Sequence, residues 1–351
     1  TAVAQPTLAK DIKSRHTRRF GIIQDVPAGV RVTAAHEAAT RSLSACAHSQ
    51  PRRRRRDNMA ARRVLSLRGA DTSKLLQSLC TNNVATWLEG SAPALAAAFL
   101  TTKGRVLADA CFWRHDDAVL IDCAAAAAPK LLRHLKMYKL RADVKIRDEA
   151  DLDVVTATST LQNCVVSGSD PRTELLGSRG IVEKGTEGEA PGLYLRRRLA
   201  LGVAEGEELE GAVPLVANLD ALNAIAFDKG CYLGQELTAR AKFRGQVRRR
   251  FMPVALHETD VTHSAARAEP PADPVPFAPL SVDVPTVGAK LVSNGKDVGK
   301  LVAVSPESTA AVADVKLDFA LSGEVLDVRV EGSDVRAAPY VPPWWPEDES
   351  E

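Results

Sequence analysis

The sequence predicts an α+β chain that ends in a small, mostly β C-terminal domain. Three observations carry this prediction. Strand-like runs separated by short polar turns make a meander between Leu95 and Cys123. Helically spaced apolar residues lie on both sides of that meander. Far downstream, Asn294-Gly295 sits between two apolar runs, the strongest hairpin signal in the chain.

Taken in order, the elements support this reading. Between Thr1 and Ala70 stand fifteen Lys/Arg against four acids, with Arg52 to Arg56 in one run. An Arg-rich, acid-poor stretch with scattered Ser, Thr and Ala has the composition of an organelle transit peptide, so residues 1–58 are expected to be removed on import. The alternative is a basic arm that binds nucleic acid. Asp71 is placed to cap a helix carrying Leu75, Leu76 and Leu79, and the polar stretch Thr81 to Asn83 follows. Leu95 to Leu100 and Val106 to Trp113 read as strands joined around Lys103-Gly104, with Val119 to Cys123 a third after the polar turn at His115 to Asp117. From Pro129, Leu131, Leu135 and Tyr138 share a helical face, and Arg133, Lys136 and Lys139 make the other side basic. Val144 and Ile146 alternate with charges as a half-buried strand does, whereas Gly177 to Gly192 reads as loop. His257 to Pro285 is a long Pro-rich surface loop. Ala289 to Val292 and Val298 to Val304 flank the hairpin turn, and Leu326, Val328 and Val330 alternate again, giving a barrel or an open sheet. The implied divisions are residues 1–58, 59–250, 251–346 with the loop at 257–285, and an acidic tail at 347–351.

Composition excludes several functions. With 46 Lys+Arg against 44 Asp+Glu, the balance gives no warrant for nucleic-acid or membrane binding. No stretch approaches the roughly 18 apolar residues of a membrane span. The six cysteines are far apart and form no C-x-x-C pair, which points to reduced thiols in an intracellular compartment. The seven His lack paired ligand spacing, so His115, His134 and His257 are expected at the surface. Gly295 to Lys300 fails as a phosphate loop because the spacing is short and Leu301 stands where Ser or Thr is needed.

The chemistry concentrates in Lys229-Gly230-Cys231-Tyr232-Leu233-Gly234-Gln235-Glu236, followed by Leu237-Thr238-Ala239-Arg240. Gly230 and Gly234 let the backbone turn tightly around the cysteine, and Gln235 to Arg240 can start a helix. Lys229, Arg240, Lys242 and Arg244 are near in sequence, a setting that favours thiolate and hence metal ligation or nucleophilic attack. The competing reading is a buried Cys packed in a tight turn. Arg248, Arg249 and Arg250 are open to three functional readings, a folate tail, a partner's acidic face or RNA, besides that of a solvated strand end. Trp344 and Trp345 read as packing of the tail against a domain, or as an exposed pair that docks a partner.

The motif KGCYLGQE resembles the signature of the YgfZ-like, folate-binding branch of the glycine-cleavage T-protein superfamily, which includes mitochondrial iron-sulfur cluster assembly factors. Leu76-Gln77-Ser78-Leu79-Cys80-Thr81-Asn82-Asn83 looks like that family's early L-Q-x-x-x-T-N segment. Lys103-Gly104-Arg105-Val106-Leu107-Ala108-Asp109 looks like its Q-G-R-x-x-x-D turn, with Lys103 replacing Gln. Tyr138-Lys139-Leu140-Arg141, Pro214 to Leu219 and the terminal Val341 to Pro346 extend the resemblance over about residues 62 to 346. It implies an α+β fold of ferredoxin-like subdomains around a central channel, followed by a C-terminal β-barrel. It further implies a mitochondrial matrix assembly factor in which Cys231 ligates a transient iron-sulfur cluster shared with an A-type carrier protein during [4Fe-4S] maturation. Lys229, Tyr232, Gln235, Glu236 and Arg240 would be its neighbouring binding residues. The superfamily also implies tetrahydrofolate in the channel, held by Asp109, and with it the alternative of a folate-dependent one-carbon (aminomethyl-type) transferase. No membrane partner is expected, and a nucleic-acid partner is disfavoured.

Overall fold

A computed structural model of the chain describes residues 61–258, 263–264, 282–322, 325–326 and 328–346. The expected transit segment, Cys46, most of the Pro-rich loop and the acidic tail lie outside the described residues. The N-terminal portion opens with β1 (Arg62–Arg68), α1 (Thr72–Leu79), α2 (Val84–Glu89), β2 (Ala94–Leu100), β3 (Val106–His115), β4 (Ala118–Ala124), α3 (Ala128–Lys139) and β5 (Lys145–Asp148). The meander is present as expected, and β1 and β5 extend it to a five-stranded antiparallel sheet in the order β2-β3-β4-β1-β5.

Both faces of β2, β3 and β4 are buried, which is why these strands are largely apolar, whereas the edge strand β5 is charged and mostly exposed. Alternate residues point to opposite faces. Leu65, Leu67, Phe99, Phe112 and Ile121 meet α1, α2 and α3 on one side. Val64, Cys111, Trp113 and Leu120 face a second, three-stranded sheet on the other. That sheet consists of β6 (Leu152–Ala157), β7 (Val166–Ser169) and β8 (Ser178–Glu183) in the order β6-β8-β7. The loop expected over Gly177 to Gly192 is therefore partly wrong, since β8 occupies its first half. His134 also departs from expectation: it is buried on α3, its ring 6.2 Å from that of Phe99 and 4.9 Å from that of Tyr138.

The helices α4 (Pro191–Ala200) and α5 (Gln235–Phe243) precede the barrel. The remaining elements are β9 (Arg249–His257), β10 (His263–Ser264), β11 (Lys290–Ser293), β12 (Lys296–Val304), β13 (Ala310–Lys316), α6 (Leu317–Ala320), β14 (Val325–Leu326), β15 (Arg329–Val330) and β16 (Arg336–Pro339). Six of these strands close in the order β11-β12-β13-β9-β16-β15, so the barrel form of the sequence reading holds over the open sheet. Met252, Val254 and Leu256 of β9 and Ala311, Ala313 and Val315 of β13 fill its interior. The alternate residues Phe251, Ala310 and Val312 face outward into a core shared with β2, β3 and α4. The barrel thus rests on the N-terminal portion through β9, β13 and, at Ala303, β12. Trp345 packs into the barrel core and the Trp344 indole donates to the Leu201 carbonyl at 2.7 Å, which makes the tryptophan pair a packing element.

Candidate functional site

The cysteine loop is built from opposed anchors. Tyr232 sits half-buried against the core shared with the barrel, while the next side chain, Leu233, joins the helical face of the large sheet. The Leu233 amide donates to the Ser78 carbonyl at 3.0 Å, which ties the loop to α1. With the chain pinned on both sides just after it, Cys231 is left outside, exposed to solvent. The reading of Cys231 as a buried packing residue does not hold.

Lys229 fixes the other end of the loop. Its ammonium donates to the carbonyls of Gln77, Cys80 and Asn82 at 2.8, 2.7 and 2.7 Å, closing the C-terminal end of α1, and lies 4.9 Å from the centre of the Tyr232 ring. A cation is well placed there, where a helix exposes its last carbonyls. Burial lowers the Lys229 pKa from its ordinary value, and it also pushes the Tyr232 phenol up to about 12. The ammonium is thus spent on backbone carbonyls. Lys229 acts as the clamp of the loop and has no donor left over for a thiolate.

The Thr81-Asn82-Asn83 stretch holds the segment that leads into the loop. The Thr81 hydroxyl donates to the Ala224 carbonyl at 2.6 Å, its carbonyl accepts from the Ala226 amide at 3.1 Å, and the Asn82 amide donates to Ala96 and Asn223 carbonyls, both at 2.7 Å. The turn containing Lys103 and Gly104 abuts the cysteine loop directly. Gly104 and Gly234 both have positive φ, +73° and +79°, and a Cβ on Gly104 would lie 2.6 Å from the Leu237 Cβ and 2.8 Å from the Gly234 carbonyl oxygen. Three separate sequence motifs therefore meet at one place. α5 then begins at Gln235, whose side-chain oxygen accepts from the Tyr232 amide at 3.3 Å, and it presents Glu236 and Arg240 to solvent. Of the expected site residues, Lys229, Tyr232, Gln235, Glu236 and Arg240 accompany Cys231 in this loop and helix.

Asp109 belongs to a different constellation. It is buried on β3, where one carboxylate oxygen accepts from the Gly206 amide at 2.9 Å and the other lies 3.5 Å from Arg62. Arg62 also meets Asp122 at 2.6 Å and Glu205 at 3.0 Å. Arg179 of β8 meets Asp122 at 2.6 Å, and Arg172 meets Asp170 and Glu205, each at 2.7 Å. The Tyr194 hydroxyl of α4 donates to Glu205 at 2.7 Å. Burial works against every charge in this cluster, yet the guanidiniums of Arg62, Arg179, Arg172 and Arg198 together hold Glu205 well below the usual carboxylate range. Sequence reasoning missed this cluster because its members are far apart in the chain, and single Arg and Asp residues on strands read as solvated.

Among the described residues no group of three or more His, Cys, Asp or Glu is arranged to hold a metal ion. Cys80, Cys111 and Cys123 are buried, and burial raises all three thiols, Cys111 and Cys123 to about 12. Cys164 is half-buried and packs elsewhere, its thiol on the Gln162 carbonyl. Cys231 is the exposed thiol of the described chain. A cluster bound at this site would need its other ligands from a second molecule.

Comparison with known proteins agrees with the fold. The family profile described as "CAF17, C-terminal beta-barrel domain" matches residues 248–347, the span of the closed barrel. The chain is similar to the iron-sulfur cluster assembly factor IBA57 homolog, mitochondrial, of Pyricularia oryzae, with 31% identity over 82% of this chain and 83% of that protein. It is similar to the human iron-sulfur cluster assembly factor IBA57, mitochondrial, with 30% identity over 81% of this chain and 83% of that protein. Among solved structures it resembles the glycine cleavage system aminomethyltransferase T of Bartonella henselae, with a TM-score of 0.57, 12% identity and coverage of 82% and 85% of the two chains. The fold is thus the T-protein fold expected from the sequence, and the mitochondrial placement agrees with the names of the relatives. The chain belongs to the IBA57 family of mitochondrial iron-sulfur cluster assembly factors.

Proposed function

We propose that this protein acts in the mitochondrial matrix as a cluster-sharing assembly factor, in which the Cys231 thiolate supplies one ligand to an iron-sulfur cluster and an A-type carrier protein supplies the rest. The step serves [4Fe-4S] maturation of client enzymes. One observation carries the reading: Cys231 is an exposed thiol on a loop held rigid from behind by Lys229, Tyr232, Leu233 and Gly234. A soft thiolate suits iron, and an isolated one suits a shared, transient cluster. Rigidity fixes the sulfur without help from the cluster, so handing the cluster on does not unravel the loop.

The test is anaerobic reconstitution with an A-type carrier, followed by gel filtration and iron quantification. Cys231→Ser should abolish the cluster-bridged complex and leave the fold intact, because Ser is nearly isosteric but a poor soft ligand. A Cys231→Ser protein that still forms a stoichiometric cluster-containing complex would sink the mechanism.

Tetrahydrofolate fits less well. Asp109, the carboxylate that would hold the pterin edge, already serves the Gly206 amide and faces Arg62, and Arg62, Asp122, Arg179 and Glu205 fill the space beside it. Folate binding there requires this cluster to open, and no step of the proposal uses it. Calorimetry with tetrahydrofolate decides: binding that is lost in Asp109→Ala while the variant remains folded would establish the folate site and reopen the transferase alternative.

A further inference from the structure

We propose that a basic cleft beside α5 docks an acidic, partly apolar segment of the protein with which Cys231 shares its cluster; the inference deepens the assembly reading and rests on it. The cleft, of about 960 Å³, opens where the end of α5, the link over residues 245–248 and the β13–α6 corner of the barrel meet. Two of its five cations are already neutralised, Arg249 by Asp314 and Arg250 by Asp220, each at 2.9 Å. The other three are not. Lys242 rests its ammonium 5.3 Å from the centre of the Phe227 ring, Lys316 donates only to the Asp297 carbonyl at 2.6 Å, and the Arg248 side chain has no partner among the described residues.

These charges are held together by the fold. Lys316 stands opposite Arg249 in the β13–β9 register, and the Leu317 amide donates to the Arg248 carbonyl at 3.0 Å. Against them stands the exposed Asp318, whose carboxylate accepts from the Phe319 amide at 3.0 Å. The cleft is therefore positive in excess and complementary to an acidic ligand.

Its remaining lining selects the class of ligand. Leu215, Val247, Leu317 and Leu321 give apolar surface that a bare phosphate would leave uncovered. Among the described residues no aromatic side chain lines the cleft, so they offer no stacking platform of the kind on which single-stranded nucleic acid depends. Carboxylates with apolar side chains between them satisfy both kinds of surface.

Position relative to Cys231 identifies whose segment it is. The nine residues of α5 rise about 13 Å from the cysteine loop to the cleft. A protein that covers roughly 800 Å² of this chain, the usual size for a specific contact, is wide enough to reach both. A partner seated over Cys231 thus brings its own surface onto the cleft.

The test uses fluorescence anisotropy of a labelled octapeptide of six glutamates and two leucines with the folded chain at low and physiological salt. Binding should weaken as salt rises, and Lys242→Glu/Arg248→Glu should weaken it at least tenfold at low salt; both side chains are exposed, so folding is not at stake. The milder Lys242→Ala/Arg248→Ala should give a smaller loss in the same direction. Equal affinity of the unmutated and charge-reversed proteins overturns the proposal, as does an oligouridine that binds more tightly than the peptide, or pyrophosphate that displaces it at equal concentration. Cys231→Ser should bind the peptide like the unmutated chain. Loss of peptide binding in the charge variant beside an intact cluster complex in Cys231→Ser would remove the cluster reading and keep the cleft; the converse pair of results would remove the cleft and keep the cluster reading.

Discussion

Gly230 and Gly234 bracket Cys231 in the sequence, but they do different work. A Cβ on Gly230 would meet nothing within 4 Å, and its φ is not positive. At Gly234 the backbone is left-handed, and a Cβ would run into the Thr101 carbonyl and lie 2.9 Å from the Leu100 Cβ. Gly230→Ala should therefore be near neutral, while Gly234→Ala should cost about 1–3 kcal/mol. Thermal unfolding of the two variants checks the difference. Equal effects would mean that the close approach of Gly104 to Gly234 does not position the loop. The motif was legible at this scale because tight turns write themselves in glycine. Which glycine is indispensable was not, since that depends on Thr101 and Leu100, more than 130 residues away in the chain.

At the scale of elements, α1 and the cysteine loop form one unit although they are about 150 residues apart. Lys229 is the joint. Replacing it by Met leaves the Gln77, Cys80 and Asn82 carbonyls without that donor, at a cost of about 2–3 kcal/mol if solvent does not replace it. Hydrogen exchange should then quicken together in the last turn of α1 and at the Leu233 amide; exchange confined to one of them would show that Lys229 does not couple them. Neighbouring elements explain what the sequence disclosed and what it hid. The meander was readable because its strands alternate between short polar turns. β8 was not, because Gly180 looked like a loop residue. It lies in a strand, and a Cβ there would come within 2.9 Å of both the Val166 carbonyl oxygen and the Ser167 Cβ, so it is small for the sake of strand packing. Similarly, the Arg248 to Arg250 run divides only in three dimensions: Arg250 is buried on Asp220, Arg249 is paired with Asp314, and Arg248 remains free to face the cleft.

For the molecule as a whole, the ionic cluster between the two sheets sets the conditions under which the cysteine loop has a scaffold. Glu205 stands among four guanidiniums, and they outweigh the cost of its burial, so its pKa in the fold lies well below the ordinary value of 4.5. Asp170, beside Arg172, is shifted in the same direction from 3.8. A carboxylate whose pKa is lower in the folded than in the unfolded chain contributes its full stability above the unfolded value, and that contribution is lost as pH falls through the folded value. The melting temperature should therefore be insensitive to these two groups at neutral pH and fall steeply below about pH 4.5. Glu205→Gln removes the larger part of this linkage. The variant should lose about 1.5–3 kcal/mol at neutral pH, because Arg62, Arg172 and Arg179 lose a charged acceptor while keeping Asp122 and Asp170, and its acid limb should be shallower. Calorimetric melting curves from pH 7 to pH 3 test both. An acid limb as steep in Glu205→Gln as in the unmutated chain would assign acid sensitivity to other carboxylates. Thiol labelling at a fixed pH of about 7, with denaturant in place of acid, separates scaffold from site. Cys231 is exposed in the fold already, so it should label before the molecule unfolds, whereas Cys111, buried against β8, should become reactive only with global unfolding.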